Sequence, residues 1–356
     1  MQESAKHAFQ RDYMDHGHGF KCDNEKVRTT IPVKDRSVAD LVNDMGCMGF
    51  QGGQLGASLH VWERMLDEDV TIFLGLAGAM VPAGLGEFIA YLLRERLVDC
   101  LVSTGANLFH DLCEGLGIVH YHGNACADDA YLNECKIDRI YDVFVSEIEL
   151  HKADNYISDF VKGLSRERRY SSRELMYMVG KDLPDTTILG AAHKANVPIF
   201  VPALGDSSWG IGMVMAYREG QKVMVDQIRD VDEITQMVER SSKTGVIYIG
   251  GGVPKNFIQQ TEVIAELIGN YSGGHSYAIQ YTTDAPHWGG LSGCTFEEAV
   301  SWGKVAKEAS KVQVFSDATI TVPVIVQALK ASGHKRKSHP ACDWTESGLK
   351  LKYEIR

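Results

Sequence analysis

The stretch VTIFLGLAGAMVPAGLGEFIAYLLRERL, residues 70–97, decides how the chain folds. Residues 70–93 are its one long apolar run, so a membrane span is the first reading to test. A spanning helix needs about 20 predominantly apolar residues. Here Gly75, Gly78, Pro82, Gly84, Gly86 and Glu87 interrupt the run. It divides instead into a strand (VTIFL), a glycine loop (GLAGAMVPAG) and a helix (LGEFIAYLLRERL). The same rhythm returns along the chain. VDCLVS (98–103) leads through TGAN into LFHDLCEGLG. VPIFVPAL (197–204) meets a glycine and serine loop, then GIGMVMAYREG. TGVIYIGGG (244–252) enters KNFIQQTEVIAELIG. RIYDVFV (139–145), SYAIQYTT (276–283) and KVQVFSDAT (311–319) read as further strands, and TVPVIVQALKAS as a closing helix. Strands alternating with helices predict a parallel sheet covered on both faces. Continuously apolar strands fit burial on both sides. The fold class expected is α/β, a Rossmann-like parallel sheet with helices on both faces.

Working outward, residues 1–35 are polar, carry HGHG at 16–19, and read as an N-terminal arm. Residues 36–332 show no composition break and read as a single α/β domain. Residues 333–356 are polar and partly basic, and read as a surface extension. The chain has 356 residues, 44% hydrophobic and 23% charged, with a net charge of −11. That balance excludes a disordered chain and argues against nucleic acid as a partner. Eight scattered cysteines without a C-x-x-C pair do not make a disulfide scaffold, and the N-terminus lacks an apolar signal core, so a reducing cytoplasm is expected.

Four strand-end loops could carry chemistry: GLAGAM (75–80), STGAN (103–107), GDSSWG (205–210) and IGGGVPKN (249–256). Small residues there let a backbone approach a pyrophosphate. No G-x-G-x-x-G is present, and each loop alone is a weak signal. His110, His120, His122, Cys113 and Cys126 do not complete a compact zinc motif, so no metal is expected.

The densest segment is YTTDAPHWGGLSGCTFEEAVSWGK, residues 281–304. Phe296, Ala299, Val300 and Gly303 recur at helical spacing as a core stripe. Glu298 and Trp302 fall on the neighbouring stripe. Trp302 fits either a core position or an aromatic wall beside a carboxylate, which suits a polyamine cation. Lys304 just past the helix stop is favoured by the macrodipole alone. A lysine against such a wall also suits an imine-forming nucleophile.

EEAVSWGK, GGGVPKN, STGANLFHDL, PALGDSS and VFSDAT, in this order and at this spacing, resemble the deoxyhypusine synthase family over roughly residues 40–332. The resemblance implies a homotetramer with sites shared between paired subunits and tightly bound NAD. It implies that spermidine loses a hydride to NAD beside its secondary amine. A lysine then captures the aminobutyl group as 1,3-diaminopropane leaves, and an acceptor amine takes that group before the hydride returns. By motif position Lys304 resembles the lysine, and Glu298 and Trp302 the polyamine cradle. Thr104, Gly105, Asp206, Gly250, Gly252, Asp317 and Ala318 fall where the family contacts NAD. Departures accompany the match. Asn256 stands where the family carries histidine, and Ile211, Trp288 and Leu291 where it carries aspartates. Asp284 and His287 are the nearby substitutes. These changes resemble the deoxyhypusine synthase-like branch found largely in bacteria, in which the acceptor is putrescine and the product homospermidine. The alternatives are a protein lysine on the hypusine-bearing translation factor, a non-catalytic NAD- or polyamine-binding relative, and an ordinary NAD dehydrogenase.

Overall fold

The computed structural model describes residues 31–270, 273–345 and 348–355. The HGHG motif lies outside them. Six strands form one sheet: β1 (Val70–Leu76), β2 (Cys100–Ser103), β3 (Ile199–Phe200), β4 (Lys243–Ile249), β5 (His275–Thr282) and β6 (Val305–Phe315). Their spatial order is β3-β2-β1-β4-β5-β6, and every pairing is parallel. This doubly wound order reverses between β1 and β4, and ligands of such sheets bind at the carboxyl ends of the strands around that point.

The alternation of side chains along β1 builds a core on each face. Ile72, Leu74 and Leu76 pack with Leu59, Trp62 and Met65 of helix α1 (Phe50–Asp67) and with Ile89, Val322 and Ile325. Phe73 joins Val246 and Tyr248 of β4, Ile234, Ile258 and Phe296 on the other face. Gly75 is required there: a Cβ would meet the Tyr248 ring at 2.9 Å. Both faces are dry and helix-covered, as the apolar strand runs predict. Among the described residues no helix is long and apolar enough to cross a membrane.

Two of the expected strands differ from the structure. RIYDVFV is not a strand of the main sheet. It spans the turn of an antiparallel pair, Ile137–Ile140 and Val143–Ser146, with Tyr141 at φ 55°. Tyr121–His122 adds to that pair. The hydrophobic run conceals a tight reversal at Tyr141-Asp142. VPIFVPAL yields only Ile199–Phe200 as strand, because Pro198 and Pro202 flank it and neither can donate to a ladder.

The polar segment after Ser332 turns back as an antiparallel hairpin, β7 (Ser338–Thr345) and β8 (Gly348–Ile355). Its polarity predicts a solvated surface, yet Arg336, Cys342 and Leu349 are buried. The Arg336 guanidinium donates to Asp99 Oδ1 at 2.7 Å and to the Arg96 carbonyl at 2.9 Å. It also donates to the carbonyls of Val70 and Ser338. A charge that reads as solvated in the sequence is here paired inside the fold.

Candidate functional site

Lys304 is placed by its backbone before its side chain matters. Helix α2 (Gly105–Gly115) opens after β2, α3 (Gly252–Leu267) after β4, and α4 (Phe296–Ser301) precedes β6. At the end of α4, Gly303 adopts φ 69°. The Lys304 N–H bonds the Ala299 carbonyl at 3.1 Å, and the Gly303 N–H bonds the Val300 carbonyl at 3.0 Å. This is a Schellman stop, and glycine supplies its left-handed residue without a Cβ penalty. The Lys304 carbonyl accepts from the His275 N–H at 3.2 Å. Both backbone polar groups of the lysine are therefore fixed, one to helix α4 and one to strand β5.

The side chain is half-buried. Its amine donates to Asn256 Oδ1 on α3 at 3.2 Å and lies 5.4 Å from the centre of the Trp302 ring. Trp302 is 62% exposed, so it is a surface wall and not core filler. Phe296 and Ala299 are buried as the helical spacing predicts, and Glu298 faces outward. The Cys294 thiol donates to the Thr295 carbonyl at 3.6 Å, and burial pushes it up. Asp284 lies on the same loop, half-buried. The His287 ring packs against Trp288 at a tilt of 51°, with 4.2 Å between ring centres. Among the described residues His287 makes no hydrogen bond or ion pair with the Lys304 group.

One member of this cluster, Lys255, carries no signal of its own in the sequence, although it sits inside the GGGVPKN motif. Lys255 is only 1% exposed. Its amine donates to Gln280 Oε1 at 2.9 Å and to the Cys294 carbonyl at 2.6 Å, between the Tyr248 and Phe296 rings. Burial pushes this amine down to about 8, against the opposing pull of Cys294 and Glu298. Two acceptors match the two N–H bonds of a neutral amine. Gln280 also donates to the carbonyls of Gly250 and Ser292, each at 2.8 Å. Gln313 donates to Gln280 Oε1 at 2.8 Å and accepts from the Phe296 N–H at 3.2 Å. A buried polar network thus joins the glycine turn after β4, the loop after β5 and the start of α4. Such networks specify position when every member is satisfied.

Lys255 also makes stability depend on pH. Unfolded, it titrates near the ordinary lysine value of about 10.4; folded, it titrates at about 8. Between these values the unfolded chain binds more protons, so this group adds stability as pH rises from 8 towards 10. The Lys255→Met protein is expected to lose that increment. Melting curves of both proteins at pH 7.5 and 9.5 check it, and parallel behaviour refutes it.

The residues assigned to the cofactor by resemblance all sit at strand carboxyl ends. Thr104 and Gly105 follow β2, Asp206 follows β3, Gly250 and Gly252 follow β4, and Asp317 and Ala318 follow β6. The ends are stitched together: the Ala77 N–H bonds the Ile249 carbonyl, Thr104 bonds Leu76, and Gly250 bonds Tyr281. A Cβ on Gly105 would meet Ser207 Oγ at 2.3 Å, which brings the loops after β2 and β3 into contact. Helix α2 begins without a side-chain cap on its first turn, as an anion-binding helix terminus does. Helix α3 offers less, since its Gly252 N–H is taken by Ser292 Oγ at 3.1 Å and Pro254 has no N–H. Asp317 caps the closing helix through the Thr319 N–H, and Ala318 is buried. Strand-end backbone and an uncapped helix terminus are the features that suit a dinucleotide.

The chain is similar to known proteins over most of its length. The family model for deoxyhypusine synthase matches residues 40–329. A Methanosarcina mazei protein named "Probable deoxyhypusine synthase 2" is 57% identical over 335 residues, 91% of this chain and 96% of that protein. "Probable deoxyhypusine synthase 1" of the same organism is 38% identical over 325 residues, 91% of this chain and 100% of that protein. The "Deoxyhypusine synthase-like protein" of Chlorobaculum tepidum is 38% identical over 306 residues, 83% of this chain and 87% of that protein. A crystal structure of an Entamoeba histolytica protein assigned as a deoxyhypusine synthase superposes with a TM-score of 0.60 at 20% identity. It covers 86% of this chain and 98% of that chain, and it shares the fold.

Proposed function

We propose that this chain, which belongs to the deoxyhypusine synthase family, transfers the 4-aminobutyl group of spermidine through an imine on Lys304 to a small amine, putrescine, giving homospermidine. The observation that supports this most is Lys304 itself. Its backbone is fixed on both sides, and its amine is held between Asn256 Oδ1 and the Trp302 ring.

NAD, when bound, supplies reversible hydride acceptance, and Thr104, Gly105, Asp206, Gly250, Gly252, Asp317 and Ala318 are the residues that would hold it. The protein's share is positional. Trp302 and Glu298 offer an aromatic face and a carboxylate to the ammonium groups of the substrate. Once the carbon beside the secondary amine is an iminium, the Lys304 amine adds to it. The old C–N bond breaks, 1,3-diaminopropane departs, and the butyl group remains as a lysine imine. The acceptor amine then displaces Lys304, and return of the hydride leaves a secondary amine. No net oxidation occurs, so steady NADH accumulation would mark a dehydrogenase instead.

Loss of the histidine and aspartates at Asn256, Ile211, Trp288 and Leu291 supports a changed acceptor. Paralogues numbered 1 and 2 in one archaeon, with this chain more similar to the second, fit a division of labour. The second reading, a protein lysine as acceptor, is favoured by the name of that relative at 57% identity. A cytoplasmic homotetramer is the assembly this reading carries with it.

Incubation of the pure protein with spermidine and NAD, with and without putrescine, tests the reading by mass analysis of the amines. Homospermidine together with diaminopropane is the expected result. Diaminopropane without homospermidine moves the acceptor to a protein lysine. Absence of diaminopropane in every arm overturns aminobutyl transfer.

A further inference from the structure

Strand β6 starts directly behind Lys304, and its pairing with β5 is irregular there. Val305 pairs with His275, and the next pair is Ser310 with Tyr277. Five steps along β6 thus face two along β5, and the chain after the lysine bulges away before the ladder resumes. His275 is the β5 residue that pairs ahead of this bulge, and its N–H is the one bonded to the Lys304 carbonyl at 3.2 Å. Gly274, at φ 88°, makes the approach possible. A Cβ there would meet the Ala306 nitrogen at 2.7 Å and the Gly303 carbonyl oxygen at 3.0 Å.

The His275 side chain enters the core, fully buried. Its Nδ1 lies 2.9 Å from Thr244 Oγ1 on β4 and 3.3 Å from Glu262 Oε1 on α3. Thr244 donates to the same Glu262 oxygen at 3.3 Å. Glu262 is fully buried too. Burial pushes the imidazole down, against the opposing pull of Glu262. Such a pair costs more to bury than apolar side chains of the same size, so core packing alone does not account for it. Helix α3 meanwhile reaches Lys304 from two directions. Asn256 accepts from its amine. Glu262, about 9 Å further along the helix, holds the ring of the residue that holds its carbonyl.

We propose that His275 is a positioning residue for Lys304. Glu262 and Thr244 fix its ring, the ring fixes the start of β5, and β5 fixes the lysine backbone so that the amine meets the substrate carbon. The inference rests on the aminobutyl-transfer reading. Being fully buried, His275 acts through the backbone and not on the substrate.

Two full-length variants test this. His275→Leu with Glu262→Met removes both polar groups together, so the melting temperature is expected to hold or rise. Its kcat is expected to fall roughly 10–100-fold with the KM for spermidine unchanged, as misplacement of a reacting group does. Deuterium exchange at the His275 amide is expected to quicken. His275→Asn can keep the Thr244 bond and is expected to recover most of the rate. Wild-type kcat in the double variant overturns the proposal, and so does a rate loss that comes with a lower melting temperature. Exchange and borohydride trapping with spermidine keep the two readings apart. No trapped adduct in the wild-type protein, with exchange still quickened in the double variant, removes aminobutyl transfer and leaves the anchor. Equal trapping rates and equal exchange in both proteins remove the anchor alone.

Discussion

Replacing Lys304 with alanine is expected to lower aminobutyl transfer by roughly 10,000-fold or more, the scale seen when a covalent nucleophile is removed. Nothing else in the cluster can take over. Lys255 is buried with its amine committed to Gln280 and Cys294. The fold is expected to survive, because the helix stop uses the Lys304 backbone and Gly303, not the lysine side chain. The side chain itself makes one hydrogen bond to Asn256 and one cation–π interaction with an exposed ring, together about 1–2 kcal/mol. Lys304→Arg is expected to be equally inactive, since a guanidinium keeps the charge but does not deprotonate to a nucleophile. Both variants are predicted to bind NAD and to give no borohydride-stable adduct with spermidine. The adduct assay separates a chemical role from a structural one. If alanine at 304 supports normal turnover, the imine mechanism fails.

Arg336→Ala is the stability counterpart, with an expected loss of about 3–5 kcal/mol. Asp99 and Arg336 have fully buried side chains, and the pair stands at 2.7 Å. Removing the guanidinium leaves a buried carboxylate supported by the Ile72 N–H at 2.8 Å and by Arg96 at 3.5 Å. It also strips partners from the carbonyls of Val70, Arg96 and Ser338. The melting temperature is expected to fall by roughly 6–15 °C. Arg336→Met with Asp99→Asn is expected to recover part of the loss, because the uncompensated charge goes with its partner. A melting temperature unchanged in Arg336→Ala would mean that the C-terminal hairpin is not anchored through this pair.

The two cases differ in how far the sequence reaches. The Schellman stop uses bonds over three to five residues, and SWGK displays glycine and lysine in the needed order. The Arg336–Asp99 pair spans 237 residues, and nothing near Arg336 distinguishes it from the solvated lysines around it. The same holds for Lys255, whose partners Gln280 and Cys294 lie 25 and 39 positions away. His110 and His120 are legible as a histidine group, but not as a hydrogen-bonded pair.

By itself the sequence determined the parallel sheet, the glycine turns at its strand ends and the lysine behind a helix stop. Apolar periodicity and local hydrogen bonding act over a few residues and are written in order along the chain. Tertiary structure decided that Trp302 is a wall and not core, that Lys255 and Arg336 are buried, and that RIYDVFV reverses direction. Those outcomes depend on which distant groups share a dry space, because a charged side chain goes inside only where a partner offsets its desolvation.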